Sequence, residues 1–362
     1  MARSGIEKKA ADKSGLIESF PLRGRLSRRS FLGRGAAGIA ALSSGMALNS
    51  NILASVKGGE SMGKHHSLSR ELTHNRWNRD IPPILRVNSG DTVRIETKDA
   101  DDGHFTPEST AKDVDTRDRG KVHPLTGPIY IEEAEPGDVL QVDIIKFELA
   151  DWGWTLIGRD VGFLPEEFPD DFIKIWRYDA DKKYAWFRED IRVELAPFCG
   201  VMGTAWDEPG EFRTFPPRKN GGNMDVKHLI AGTILYLPVS VPGALFSTGD
   251  GHAAQGDGEV CVSAIETELA VTVRLTVRKD YSIEEPEYES DDYYATTGVG
   301  TTIIEAAQKA TRFMINRLAN DHGMSREEAY VLCSNVMDLK ICEVVDLPNY
   351  LVSGHVSKSI FI

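Results

Sequence analysis

The chain has 362 residues, 41% of them hydrophobic, and a formal net charge of −13. Its first 54 residues carry 9 Lys or Arg against 3 Asp or Glu, which leaves 33 basic against 52 acidic residues in the remainder. So acidic a body repels phosphate backbones and anionic lipid, arguing against nucleic-acid and membrane-surface partners, while a neutral small molecule is indifferent to that field.

At the N-terminus, Ser27-Arg28-Arg29-Ser30-Phe31-Leu32-Gly33 precedes a mildly apolar, Gly- and Ala-rich run to about Ala54. The pattern resembles a twin-arginine export signal. The run is too short and too weakly apolar for a stable membrane span of roughly 20 residues. Cleavage after Ala47 or Ala54, and delivery of the folded protein by the twin-arginine translocation machinery to the periplasm or cell exterior, are expected. Residues 1–54 are therefore set apart as a signal and processed region.

Beyond it, short β-type runs alternate with Gly and Pro turns: Thr92 to Thr97, Ile129 to Glu132, Val139 to Phe147, Thr233 to Val239, Val260 to Ile265 and Val271 to Val277. They predict a mainly β (α+β) fold with a sandwich or jelly-roll-like core over residues 55–295. Asp280 to Tyr294, rich in Glu, Asp and Tyr, reads as an acidic connector. Thr301 to Asp321 places Ile303, Ile304, Ala307, Ala310, Phe313, Met314 and Leu318 near a 3.6-residue period, and Ser325 to Glu328 opens a second helix with a capping box. Residues 296–362 are thus expected to form a helical segment packed on the core. Four cysteines are too few for a disulfide framework; Cys333 and Cys342 could pair, but free buried thiols are the preferred reading.

The densest chemistry lies between Ser247 and Val260, where Asp250, His252, Asp257 and Glu259 stand among Gly and Ala. In extended backbone, residues at i and i+2 project to the same side, so each pair can converge on one point. A solvated hairpin turn, its carboxylates bonded to their own backbone, is the equally simple reading. The run does not match the twelve-residue calcium loop, and a carboxylate and imidazole set suits zinc better than calcium. Just before the apolar strand at 233–239, Asn220 to His228 holds Asp225 and Lys227, which share a face if extended but could equally form an exposed ion pair worth about 0–1 kcal/mol. His65, His66, His322 and His355 are read as solvated or structural, whereas His104, after Asp99, Asp101 and Asp102, and His123 are candidates for a cleft wall.

Taken together, several segments resemble the acetamidase/formamidase family of short-chain amide hydrolases. They are Ser89 to Val93 leading into Thr97-Lys98-Asp99, His123 to Pro128, Ala134 to Leu140, Gly221 to Asp225 with Lys227, Leu237-Pro238-Val239 through Leu245, Gly249 to His252, and Gly256 to Val260. They span roughly residues 70 to 285. The resemblance implies hydrolysis of a small aliphatic amide to a carboxylic acid and ammonia, on a β-rich scaffold that assembles as a homo-oligomer and holds a divalent metal ion, zinc first and calcium second. It carries ligand roles to Asp225, Asp250 and His252, with Asp99 as a further candidate, and puts Glu259 and Lys227 near the reacting group. Glu259 is expected to shuttle the proton and Lys227 to stabilise the oxyanion, roles that could be exchanged. After Gly200 to Ala205 the family usually continues with Pro, but here Trp206-Asp207-Glu208 follow, so Trp206 is expected to reshape the cleft and, with His123, to meet substrate. Two alternatives remain: a carboxylate or Cys nucleophile beside a structural metal, and a non-catalytic periplasmic metal- or ligand-binding protein on the same scaffold.

Overall fold

Val93 and Ile95, Leu140, Val142 and Ile144, and Val271, Val273 and Leu275 sit at every second position of their strands, and all are buried. That alternation forces one apolar face on each strand. In the computed structural model, which describes residues 63–362, these strands form the middle of a nine-stranded sheet. Its order is His65–Leu68, Asp91–Thr97, Leu269–Arg278, Val139–Leu149, Ile234–Pro238, Glu287–Glu289, Tyr293–Gly300, Tyr350–Ser357, Met337–Glu343. The export signal expected at 1–54 lies outside the described residues.

A six-stranded sheet covers the apolar face, built from Gly221–Asn223, Phe198–Gly203, Phe246–His252, Leu125–Ile131 and Thr73–His74, with Leu85–Val87 pairing in parallel to Leu125–Ile131. Ile129, Ile131, Cys199, Met202 and Phe246 from this sheet share one core with Leu140, Val142, Leu235, Leu237 and Val273 from the other. The opposite face of the large sheet is charged, with Arg94 bridging Glu96 and Glu148 at 2.8 Å each and Arg274 meeting Asp143 at 2.9 Å. A four-stranded sheet, Trp152–Ile157 to Ile191–Glu194, flanks the sandwich.

The expected sandwich with C-terminal helices therefore forms. Helices Ile303–His322 and Arg326–Val336 start where Thr302 and Ser325 accept backbone N–H groups, Ser325 in the expected capping box with Glu328, and they bury Met314, Leu318 and Cys333 against Val356. After them the chain returns as Met337–Glu343 and Tyr350–Ser357, so residues 296–362 supply two strands of the main sheet as well as the helices. The acidic connector includes the strand Glu287–Glu289, whose carboxylates are held by Arg317 at 2.9 and 2.7 Å. Val260 to Ile265 forms no strand. Glu259 and Val262 adopt φ of 45° and 75°, and the Val262 N–H closes a turn onto the Glu259 carbonyl. The alternation of apolar residues there reflects a segment wrapped around the site below rather than a pleated strand.

Candidate active site

At the end of the six-stranded sheet, Phe198–Gly203 pairs with Phe246–His252 so that Cys199 faces Gly251 and Val201 faces Gly249, bringing Gly200 opposite Asp250. The Gly200 carbonyl accepts the N–H groups of Met224 and Asp225, which folds the turn after Gly221–Asn223 over the same spot. A Cβ on Gly200 would lie 2.5 Å from Asp250 Oδ2, 2.6 Å from Asp225 Oδ1 and 2.7 Å from His252 Cε1. Only glycine leaves the room these three side chains occupy. Asp225, Asp250 and Glu259 each hold positive φ, at 47°, 59° and 45°. Left-handed backbone in non-glycine residues costs of order 1 kcal/mol or more, and such strain concentrates at functional sites.

His252 is the hub. Its Nε2 lies 3.2 Å from Glu266 Oε2, 3.4 Å from Asp250 Oδ1 and 4.0 Å from Glu259 Oε1, while Nδ1 lies 3.7 Å from Asp225 Oδ1. Glu266 is fixed by its backbone pairing with Trp154 and by the Ala264 N–H on its other oxygen. The C-terminal strands close the cluster: Asn223 donates to Asp346 at 2.7 Å, Asp346 donates its own N–H to Glu343, and Gly258 exchanges backbone bonds with Cys342 and Val344.

All these acidic side chains are buried, with Asp225, Asp250, Glu266 and Asp346 at 2% exposure or less. Burial, with the Asp346 charge added, raises the Asp225 carboxyl well above the usual range; burial and Asp225 do the same for Glu259, and burial pushes Glu266 up to about 8. For Asp250 burial acts in the same sense, but the charge of His252 and its hydrogen bond outweigh it and hold the carboxyl low. His252 is raised because Glu266 and Asp250 overcome its desolvation. One imidazolium cannot balance so many buried carboxylates, and an isolated buried charge is very costly.

The cluster must hold protons or bind a cation. Both oxygens of Asp225, Oδ1 of Asp250, Nδ1 of His252 and Oε2 of Glu266 are buried without a hydrogen-bond partner. Two sets, Asp225–His252–Glu259 and Asp250–His252–Glu266, bring their ligand atoms within 4.8 Å of one another. Orphaned oxygens around an imidazole fit a divalent ion.

The cluster opens into a cavity of about 210 Å³. Asp250, Glu259, Glu266 and His123 line it together with the apolar Trp154, Leu156 and Phe215, and Arg76, Arg117, Arg119 and Arg213 also border it. Pockets for drug-sized ligands occupy roughly 300–1,000 Å³. This one admits only a few heavy atoms.

Among the residues expected from sequence, Asp225, Asp250, His252 and Glu259 converge, and His123 faces them with its Nε2 3.9 Å from Asp250 Oδ2 and its ring stacked on Phe215. The two ligand sets separate Asp225 from Asp250 and include Glu259. Lys227 is elsewhere: its ammonium pairs with Asp257 at 3.0 Å near the surface. Asp99 is buried behind the cavity wall, accepting from the Asp101 and Gly103 N–H groups and from the Trp154 indole, so its lone pairs are engaged. Trp206 packs against Phe212 under Lys219 and does not border the cavity. The exposed His104 bonds the Asp113 carbonyl. Burial pushes the Cys199 thiol up to about 12, which removes it as a nucleophile. Glu266, Asp346 and Glu343 join the cluster without a signal in the sequence. Glu266 follows the Val260 to Ile265 run, and the other two arrive from the far end of the chain.

The family model described as the Acetamidase/Formamidase family matches residues 61–210 and 207–362. An acetamidase of Mycolicibacterium smegmatis is 32% identical over 52% of this chain, which spans 61% of that protein's length. A formamidase of Methylophilus methylotrophus is 27% identical over 80% of this chain and 89% of its own. The crystal structure of an acetamidase from Bacillus halodurans superposes with a TM-score of 0.77 at 32% identity, covering 82% of this chain and 98% of that one.

Proposed function

Because the chain belongs to the acetamidase/formamidase family, we propose that it hydrolyses a short aliphatic amide to a carboxylic acid and ammonia, assisted by a divalent ion held in the buried acidic cluster. The observation that carries this reading is the set of partnerless carboxylate oxygens around His252 beside a small cavity. His252 with Asp250 and Glu266, which converge on its Nε2, would hold the ion, zinc by virtue of the imidazole or calcium if the oxygens served alone. Bound there, it supplies Lewis-acid polarisation of the amide carbonyl and of water.

The chain's own residues do the rest. Glu259, on the cavity wall, takes a proton from water as that water attacks and returns it to the departing nitrogen. Burial lowers the pKa of His123, so the ring stays neutral and offers one donor and one acceptor to the amide. Trp154, Leu156 and Phe215 exclude bulk water and limit the acyl group to a few carbons. Export by the twin-arginine route and assembly as a homo-oligomer belong to the same reading.

The test is ammonia release from formamide, acetamide and propionamide by purified protein. Turnover of any of them supports an amidase. Tight metal binding with no turnover of any amide would favour the non-catalytic alternative.

A further inference from the structure

The cavity lining carries both signs of charge. Beside its carboxylates, four arginines border the same small space in a chain whose net charge is −13. Arg117 is matched, its Nη1 lying 3.1 Å from Asp101 Oδ2. The other three have no carboxylate within ion-pair distance among the described residues. Arg76 donates to the Asn75 carbonyl at 2.6 Å and Arg119 only grazes the Arg159 carbonyl at 3.5 Å. Arg76 and Arg213 are, moreover, direct partners in the two-stranded ladder of Arg76–Trp77 and Phe212–Arg213. Like charges directly opposite on antiparallel strands destabilise the pair. Arg119 and Arg213 are exposed and Arg76 is half-buried, so water can solvate them; gathered without carboxylate partners beside one small cavity they nonetheless form a site suited to an anion, and the planar fork of arginine fits a carboxylate.

We propose that the substrate is a short amide carrying a carboxylate at its other end, with the carboxylate held by Arg76, Arg213 and Arg119 while the amide reaches the acidic cluster. This rests on the amidase reading above and names the substrate class it left open. The arginines also set a local positive field beside the cavity of an otherwise negative protein, which steers anions in and does nothing for a neutral amide. A neutral amide of equal size meets the same apolar wall but leaves the arginines unmatched, and a site built around charged hydrogen bonds discriminates strongly against a partner that lacks them.

The experiment compares kcat/KM for oxamate, malonamate and succinamate with kcat/KM for neutral amides, taking 3-methylbutanamide as the isostere of malonamate. At least one acid amide is expected to exceed its neutral counterpart by about 10-fold or more, with a ratio that falls as salt is raised. In the Arg213→Gln and Arg76→Gln variants that ratio should fall at least 10-fold. Isothermal titration with malonate, the product of malonamate hydrolysis, gives a readout that needs no turnover: binding should be present in the native protein and weakened in both variants. Neutral amides turned over as well as the acid amides, or malonate binding unaffected by either substitution, would overturn the proposal while leaving the amidase reading standing. Absence of turnover on every amide, with arginine-dependent malonate binding, would overturn the amidase reading and keep the anion site.

Discussion

Gly200→Ala puts a single methyl group into the middle of the cluster. The added Cβ would stand 2.5, 2.6 and 2.7 Å from Asp250, Asp225 and His252, whereas ordinary contact begins near 3.4 Å, so these groups must retreat by about 0.7–0.9 Å. All three are buried and hemmed in by one another, so the retreat cannot be absorbed by an exposed side chain. Overpacking of this kind costs about 1–3 kcal/mol. That lowers the thermal midpoint by only a few degrees in a domain of this size. Catalysis is far more sensitive, since displacement of about 1 Å in a reacting constellation can cost about 100-fold. Gly200→Ala should therefore lose about two powers of ten in kcat/KM for amide hydrolysis, and bind metal less tightly by elemental analysis, while remaining folded by circular dichroism. Gly256→Ala is the control, because a Cβ there meets nothing within 4 Å. Gly200→Ala with native turnover and native metal content would refute the placement of the reacting centre at this cluster.

Glu259→Gln keeps the shape of the side chain and removes its basic oxygen; it should retain metal and lose about two to four powers of ten in turnover, whereas loss of metal would make Glu259 a ligand. Lys227→Ala should change turnover by no more than a few-fold, because the Lys227 ammonium pairs with Asp257 at a half-exposed site; a 100-fold loss would return it to the reacting centre. Burial, with His228 and Lys340 adding to it, lowers the pKa of His355 to about 3. Between pH 6.5 and 3 the unfolded chain binds a proton that the folded chain refuses, so this contribution is complete above pH 6.5 and is lost as the pH falls. Thermal midpoints of His355→Gln should accordingly decline less steeply than those of the native protein between pH 6 and 4, and equal slopes would contradict a buried neutral ring. Replacement of Arg28 and Arg29 by Lys should hold the protein in the cytoplasm, as judged by cell fractionation, and normal export would end the twin-arginine reading.

The regular parts of the fold were legible because their physics is local. Alternation in Asp91–Thr97, Val139–Leu149 and Leu269–Arg278 reveals a strand with one buried face, and Ser325 with Glu328 marks a helix start. Asp250 and His252 were legible for the same reason, being two residues apart on one strand. Val260 to Ile265 misled because period-two alternation does not reveal positive φ at Glu259 and Val262. Asp346 and Glu343 were invisible because their role depends on Met337–Glu343 returning beside the Gly258 turn, a pairing fixed by tertiary packing. Lys227 lies beside Asp225 in sequence, yet the left-handed φ at Asp225 breaks the extended geometry that would have given the two side chains a common face.

If the proposed function is right, amide hydrolysis depends on a divalent ion held by the His252 cluster. The direct measurement strips the purified protein with a chelator, restores zinc or calcium in steps, and follows bound metal and ammonia release from the same samples. The stripped protein should show no turnover and activity should rise in proportion to bound metal until the site is full, with His252→Ala neither binding the ion nor recovering. Full turnover in the metal-free protein, or His252→Ala that binds metal and hydrolyses amide normally, would contradict that dependence.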